Sequence, residues 1–210
     1  MSPRTRVWLF PSLFYVLFVF WYTDFGGPLS DEEIDGFMAA LVERGRDPER
    51  IAYIEDFLRK DTGRQFLMVN ALDMNENPPD VEGAEPGESA DQLMGRYMEH
   101  MFPQMLKRAS HPVIAGEATY PALDILGVEG AEHWTGAAMV RYRSRRSFME
   151  IVAHPDMLDR HEFKLAALDK TIAYPIETSF YLGDLRVLLG LLFLALTAVA
   201  DSALLARRKA

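Results

Sequence analysis

The sequence predicts an α+β domain of element order βαββαβ, carried between two apolar helices long enough to reach across a bilayer. Three observations point there. Both ends of the chain are apolar runs edged by basic residues, with Asp201 the single charge inside them. Between them the hydrophobic period alternates between that of a strand and that of a helix. The charge is also segregated. Residues 1–22 and 186–210 hold Arg4, Arg6, Arg186, Arg207, Arg208 and Lys209 against Asp201 alone, leaving 16 basic and 30 acidic side chains in the middle.

At 210 residues there is room for one ordinary domain with appendages. The absence of cysteine excludes a disulfide scaffold, thiolate zinc sites, iron–sulfur ligation and a cysteine nucleophile. A net charge of −9 argues against nucleic acid, whose phosphates require a basic face.

Residues 1–24 are read as an anchor. Val7 to Tyr22 carries no charge, and as a helix it rises about 24 Å, a little short of a hydrocarbon core of about 30 Å. Local thinning and the flanks cover the difference. Trp8, Trp21 and Tyr22 suit the interfacial zones. Phe20-Trp21-Tyr22 stand where a signal peptidase needs small residues, so an uncleaved signal anchor is expected.

Residues 28–62 are read as a helical hairpin. Ser30 and Glu33 form a capping box ahead of Ile34, Phe37, Met38 and Leu41. Asp47-Pro48 opens a second helix with Ile51, Ile54, Phe57 and Leu58 on one face.

Residues 63–182 form the α+β domain. Gln65 to Asp73 is a buried-strand run, Asn75 to Ser89 a Pro/Gly/acid loop, and Ala90 to Ala109 a Met-rich helix. His111 to Leu126 reads as a long, bent or broken strand with Pro121 at an edge or bulge. Trp134 to Tyr142 is a third strand, Ser144 to Asp169 a helix interrupted at His154-Pro155, and Thr171 to Phe180 a last strand. This order is the ferredoxin-like split unit, an antiparallel sheet with helices on one face. The first strand is apolar on both sides, with Phe66, Met68 and Leu72 opposed to Leu67, Val69 and Ala71. One helical layer covers one side only, so an identical chain is expected on the other, giving a homodimer.

Residues 185–210 supply a second span, Val187 to Ala206, with a basic tail. Its Asp201 lies near Arg207 and Arg208 and is expected in the interfacial zone. The positive-inside rule then gives a two-pass protein of the inner or plasma membrane. Both termini are cytoplasmic and the main domain is periplasmic or extracellular.

The run from Val140 to Phe148 (VRYRSRRSF), then Ala153-His-Pro-Asp156, then His161, resembles the dimeric α+β barrel superfamily over about residues 64–180. It is most similar to a family of uncharacterised small domains related to antibiotic-biosynthesis-type and haem-degrading monooxygenases. In the haem-degrading members an Asn late in the first strand, a Trp ending the third and a His on the second helix serve the haem site. The resemblance implies that Asn70 and His161 take two of those roles and that haem is a candidate cofactor. Tyr142 stands at the Trp position, a departure that bears on haem degradation while leaving a pocket between helix and sheet.

The residues themselves say less. Leu158, His161, Leu165 and Leu168 recur at helical spacing, which would turn His161 toward the sheet. Asn70 interrupts an apolar strand, where its amide needs partners. A ligand or the backbone can supply them, and the same holds for a buried His. Arg141, Arg143, Arg145 and Arg146 form a basic patch that suits an anionic substrate group, or a solvated strand end with Glu150 as an ion-pair partner. His100, His111, His133 and His154 lack ligand spacing, and there is no Gly-rich phosphate loop or Ser nucleophile elbow.

Two functions are therefore expected to compete. One is a membrane-anchored ligand-binding domain, monooxygenase-like toward a hydrophobic or tetrapyrrole-type molecule. The other is a non-catalytic accessory or assembly subunit engaging a membrane-protein partner.

Overall fold

The structure, a computed structural model, describes residues 1–43, 45, 47–157 and 160–209. Its helices are α1 (Pro3–Tyr22), α2 (Asp31–Glu43), α3 (Pro48–Arg59), α4 (Ala90–Lys107), α5 (Arg145–Val152), α6 (His161–Ala167) and α7 (Leu185–Lys209). Its strands are β1 (Phe66–Met74), β2 (His111–Glu117), β3 (Gly136–Tyr142) and β4 (Leu168–Ile176). The chain divides into two units, Met1–Phe25 with Thr178–Ala210, and Gly26–Glu177.

In the first unit, α1 and α7 are both long and apolar enough to cross a membrane. Ser2 caps α1 through Thr5 N, so the helix starts before the apolar run. Its 20 residues rise about 30 Å, which closes the expected shortfall. The helices run antiparallel. Arg4, at the start of α1, donates from Nε and Nη2 to the two carboxylate oxygens of Asp201, late in α7, at 2.6 and 2.8 Å. At the other end Tyr15 Oη donates to the Arg186 carbonyl at 2.8 Å. Gly190 permits this approach, since a Cβ there would meet Tyr15 Oη at 3.0 Å. Asp201 is thus buried in an ion pair with Arg4. A carboxylate left unpaired in an apolar helix pair is costly, and Arg4 removes that cost.

The second unit is α+β, with one antiparallel sheet of order β2-β3-β1-β4. α4, α5 and α6 pack on its inner face. Ser89 caps α4 in a capping box with Gln92, and Ser30 and Glu33 do the same for α2, at 3.2 and 2.9 Å. The hairpin α2–α3 docks on α5 through Ile34, Leu41, Leu58 and Met149, all buried. Phe57 extends that contact to the sheet, edge-on to Phe66 at 5.6 Å and to Phe148 at 6.2 Å.

The bounds of β2, β3 and β4 differ from those expected. β2 stops at Glu117, whose partner Gly136 is the first residue of β3, so Pro121 lies in the loop beyond it, and the β-bulge falls near the strand's start, between Pro112 and Ile114. β3 begins at Gly136 instead of Trp134. β4 begins at Leu168, not Thr171, and ends at Ile176, so the expected helix to Asp169 ends at Ala167.

Candidate functional site

The inner face of the sheet has a floor of small side chains. Register places Ala115 beside Ala138, Ala138 beside Asn70, and Asn70 beside Ala173, one row across all four strands. Larger residues rise to one side of it, where Phe66 pairs with Tyr142 and Met68 with Val140. The space over the alanines is not filled by the helices above. It forms a cavity of about 400 Å³, walled by Met94, Tyr97, Met98 and Met101 of α4 and by His161 and Lys164 of α6.

Asn70, Tyr142 and His161 all line this cavity. Asn70 is 9% exposed, and its Nδ2 donates to the Met68 and Ala138 carbonyls at 3.1 and 3.3 Å. Nothing among the described residues donates to its Oδ1, which leaves an acceptor at the floor. Tyr142 closes the end of the cavity inside an aromatic cluster, stacked on Phe66 at 5.3 Å with Phe148 edge-on at 5.0 Å. Burial raises its phenol pKa, with Tyr97 adding to the effect. The His161 ring lies edge-on to Tyr97, centroids 6.4 Å apart, and burial pushes the Tyr97 phenol up to about 12. At neutral pH both tyrosines are therefore neutral hydroxyls.

His161 reaches the cavity for a reason other than the expected leucine stripe. Leu165 is 57% exposed, Leu168 belongs to β4, and Leu158 lies outside the described residues. The short α6 instead packs on α4 through Phe163, Ala166 and Ala167. That leaves His161 and Lys164, three residues apart, facing the cavity.

Lys164 went unseen in the sequence, where a helical lysine reads as a solvated one. Its Nζ lies 5.8 Å from the centroid of the Tyr97 ring, and burial lowers its pKa.

The basic patch does not assemble. Arg141 is fully buried, donating from Nε to Gln65 Oε1 at 2.8 Å and from Nη1 to the Ala109 carbonyl at 2.6 Å. Arg143 reaches Ser147 Oγ. Arg145 bonds the Phe57 carbonyl, stacks over the Phe57 ring at 4.3 Å, and pairs with Asp61 and Glu177. Arg146 grips Glu33 with both arms of its fork, at 2.6 and 3.1 Å. Glu150 pairs with Arg108 instead, at 2.8 Å. These arginines hold the hairpin and strand ends together; none lines the cavity.

A haem does not fit the cavity. Its volume lies near the bottom of the ~300–1,000 Å³ that ligand sites span, room for one slim molecule rather than a macrocycle. Lys164 is the single cation in its lining, against the two propionates a haem carries. Among the described residues no group of three His, Asp or Glu could hold a metal ion.

No protein family's profile matches the chain, and no curated protein sequence does. Among solved structures, the chain is similar to the RPA0582 protein of Rhodopseudomonas palustris, itself of unknown function. That match has 17% identity and a TM-score of 0.51, covering 64% of this chain and 95% of that one. The methylated form of RPA0582 gives 17% identity and a TM-score of 0.52, covering 64% and 93%. A remoter similarity, at 10% identity and a TM-score of 0.33, covers 54% of this chain and 96% of a dimeric ferredoxin-like protein of unknown function from Bacteroides fragilis. The sheet order β2-β3-β1-β4 and the βαββαβ element order make the second unit a ferredoxin-like α+β fold, with a terminal apolar helix on either side of it in sequence.

Proposed function

We propose that the chain is a membrane-tethered domain that binds a slim apolar molecule in the cavity between α4, α6 and the sheet. The observation that carries this reading is the alanine row under a wall of methionines. It gives an apolar volume with a few convergent polar groups, the usual make-up of a small-molecule site. The Asn70 Oδ1 acceptor, the Tyr97 hydroxyl and the His161 ring orient the ligand. His161 is the group able to move a proton near neutral pH, as a monooxygenase-like or other proton-transfer role requires. The tether is α1 with α7. Their antiparallel pairing brings Arg4 and the basic tail to one end, consistent with cytoplasmic termini and the domain on the far side.

The test is photolabelling of the full chain in lipid nanodiscs with a neutral diazirine-bearing alkyl alcohol. Label should map to α4 and α6 and disappear in Ala138→Phe, which fills the floor. Equal labelling of wild type and Ala138→Phe would remove the cavity reading.

A second reading, an accessory subunit, is favoured by the outer face of the sheet. Ile114, Ile172, Tyr174 and Ile176 are exposed there around Val69 and Met139, an apolar surface suited to a second copy or to a membrane-protein partner. Native mass spectrometry should find a homodimer that Tyr174→Arg dissociates. A monomeric wild type would leave that face to another protein.

A further inference from the structure

The cavity contains a cation that the proposed binding role does not yet use. Among the described residues Lys164 has no hydrogen bond and no ion pair; its Nζ lies over the face of the Tyr97 ring. A lysine on a surface helix ordinarily extends its ammonium to water along an apolar stem. Lys164 instead lines the cavity, half-buried, with its Nζ 5.8 Å from the Tyr97 ring centroid, and burial lowers its pKa. An unpaired ammonium in apolar surroundings is destabilising unless an anion joins it. No described carboxylate does so. The polar side chains lining the same space are the Asn70 amide, the His161 ring and the Tyr97 and Tyr142 phenols, none of them an anion at neutral pH.

We infer that the ligand is an amphiphilic carboxylate. Its apolar chain lies over the neighbouring Ala115 and Ala138, and its carboxylate accepts a charge-assisted hydrogen bond from Lys164 Nζ. This rests on the cavity reading and adds a head-group class to it. A volume of about 400 Å³ suits a medium-length alkyl chain, and a single cation suits a single negative charge.

The experiment uses the full chain in nanodiscs with the neutral diazirine alcohol as reporter, competed by dodecanoate or by dodecanol. Three proteins are compared: wild type, Lys164→Met and Lys164→Arg. In the wild type dodecanoate should compete at least about tenfold better than dodecanol, the effect of one hydrogen bond to a charged group. Lys164→Met should abolish that preference while still taking the neutral label, which shows that its cavity is intact. Lys164→Arg should keep most of it. Equal potency of acid and alcohol in the wild type, or an unchanged preference in Lys164→Met, overturns the carboxylate assignment but leaves the cavity reading standing. Absence of label from the cavity of the wild type overturns both.

Discussion

Met149 joins two parts of the second unit, and truncating it measures how firmly they are joined. It sits on α5, fully buried among Ile34, Leu41 and Leu58 of the hairpin. Met149→Ala deletes three heavy atoms from a site that water does not reach. At about 0.8 kcal/mol per buried methylene, transfer alone accounts for roughly 2 kcal/mol. The cavity left behind adds more, because α2 is tied to α5 by the Arg146–Glu33 fork and α3 by Arg145 on the Phe57 carbonyl, so neither can collapse freely. About 3 kcal/mol is expected, within the ~2–5 kcal/mol of Met→Ala core changes. Urea unfolding of the full chain in nanodiscs, followed by circular dichroism, reads the loss. Hydrogen exchange should quicken in the amides of α2 and α3 together with those of α5. A loss under about 1 kcal/mol, or quickening confined to α5, would refute the claim that the hairpin is integral to the domain.

Three further predictions follow from single contacts. The Arg146 fork, with backbone N–H of Ser30, holds the Glu33 carboxyl down at about 2 from an ordinary 4.5; stability from this group is full above pH 4.5 and is lost as pH falls toward 2. The pair is partly exposed, so the amount is only about 1 kcal/mol, seen as an acid-limb difference between wild type and Arg146→Met. Gly63 has φ +71°, and a Cβ there would meet the Gly27 carbonyl carbon at 2.6 Å, so Gly63→Ala should cost more than about 1 kcal/mol and lower the melting temperature. Asp201→Ala should loosen the α1–α7 pair in thermal unfolding, and the exchange Arg4→Asp with Asp201→Arg should restore much of it.

The fold was legible where burial left a one-dimensional trace. The β1 run is apolar on both sides, the capping box at Ser30 marks a helix start, and the terminal runs declare themselves by their near lack of charge. It was illegible where neighbours decide. Leu168 follows a helix-favouring LAA stretch, yet pairing with Met74 draws it into β4. Arg141 looks like a surface residue, and only the Ala109 carbonyl and Gln65 make its burial tolerable. The site divided in the same way. Asn70 was visible as a polar break in an apolar strand. His161 was found by a stripe that α6 does not possess. Lys164 and the alanine floor were hidden, since an alanine signals a cavity only once its cross-strand neighbours are known to be small too.

The central claim is that an apolar molecule enters the space above that floor, and the methionines provide the reporters. With methyl-¹³C methionine in the full chain in nanodiscs, added dodecanoate should shift the methyl signals of Met68, Met94, Met98 and Met101, which line the cavity. Met139 on the open sheet face and Met38 and Met149 in the hairpin core should stay unmoved. Shifts confined to Met139, or no methionine shift at saturating ligand, would contradict the account.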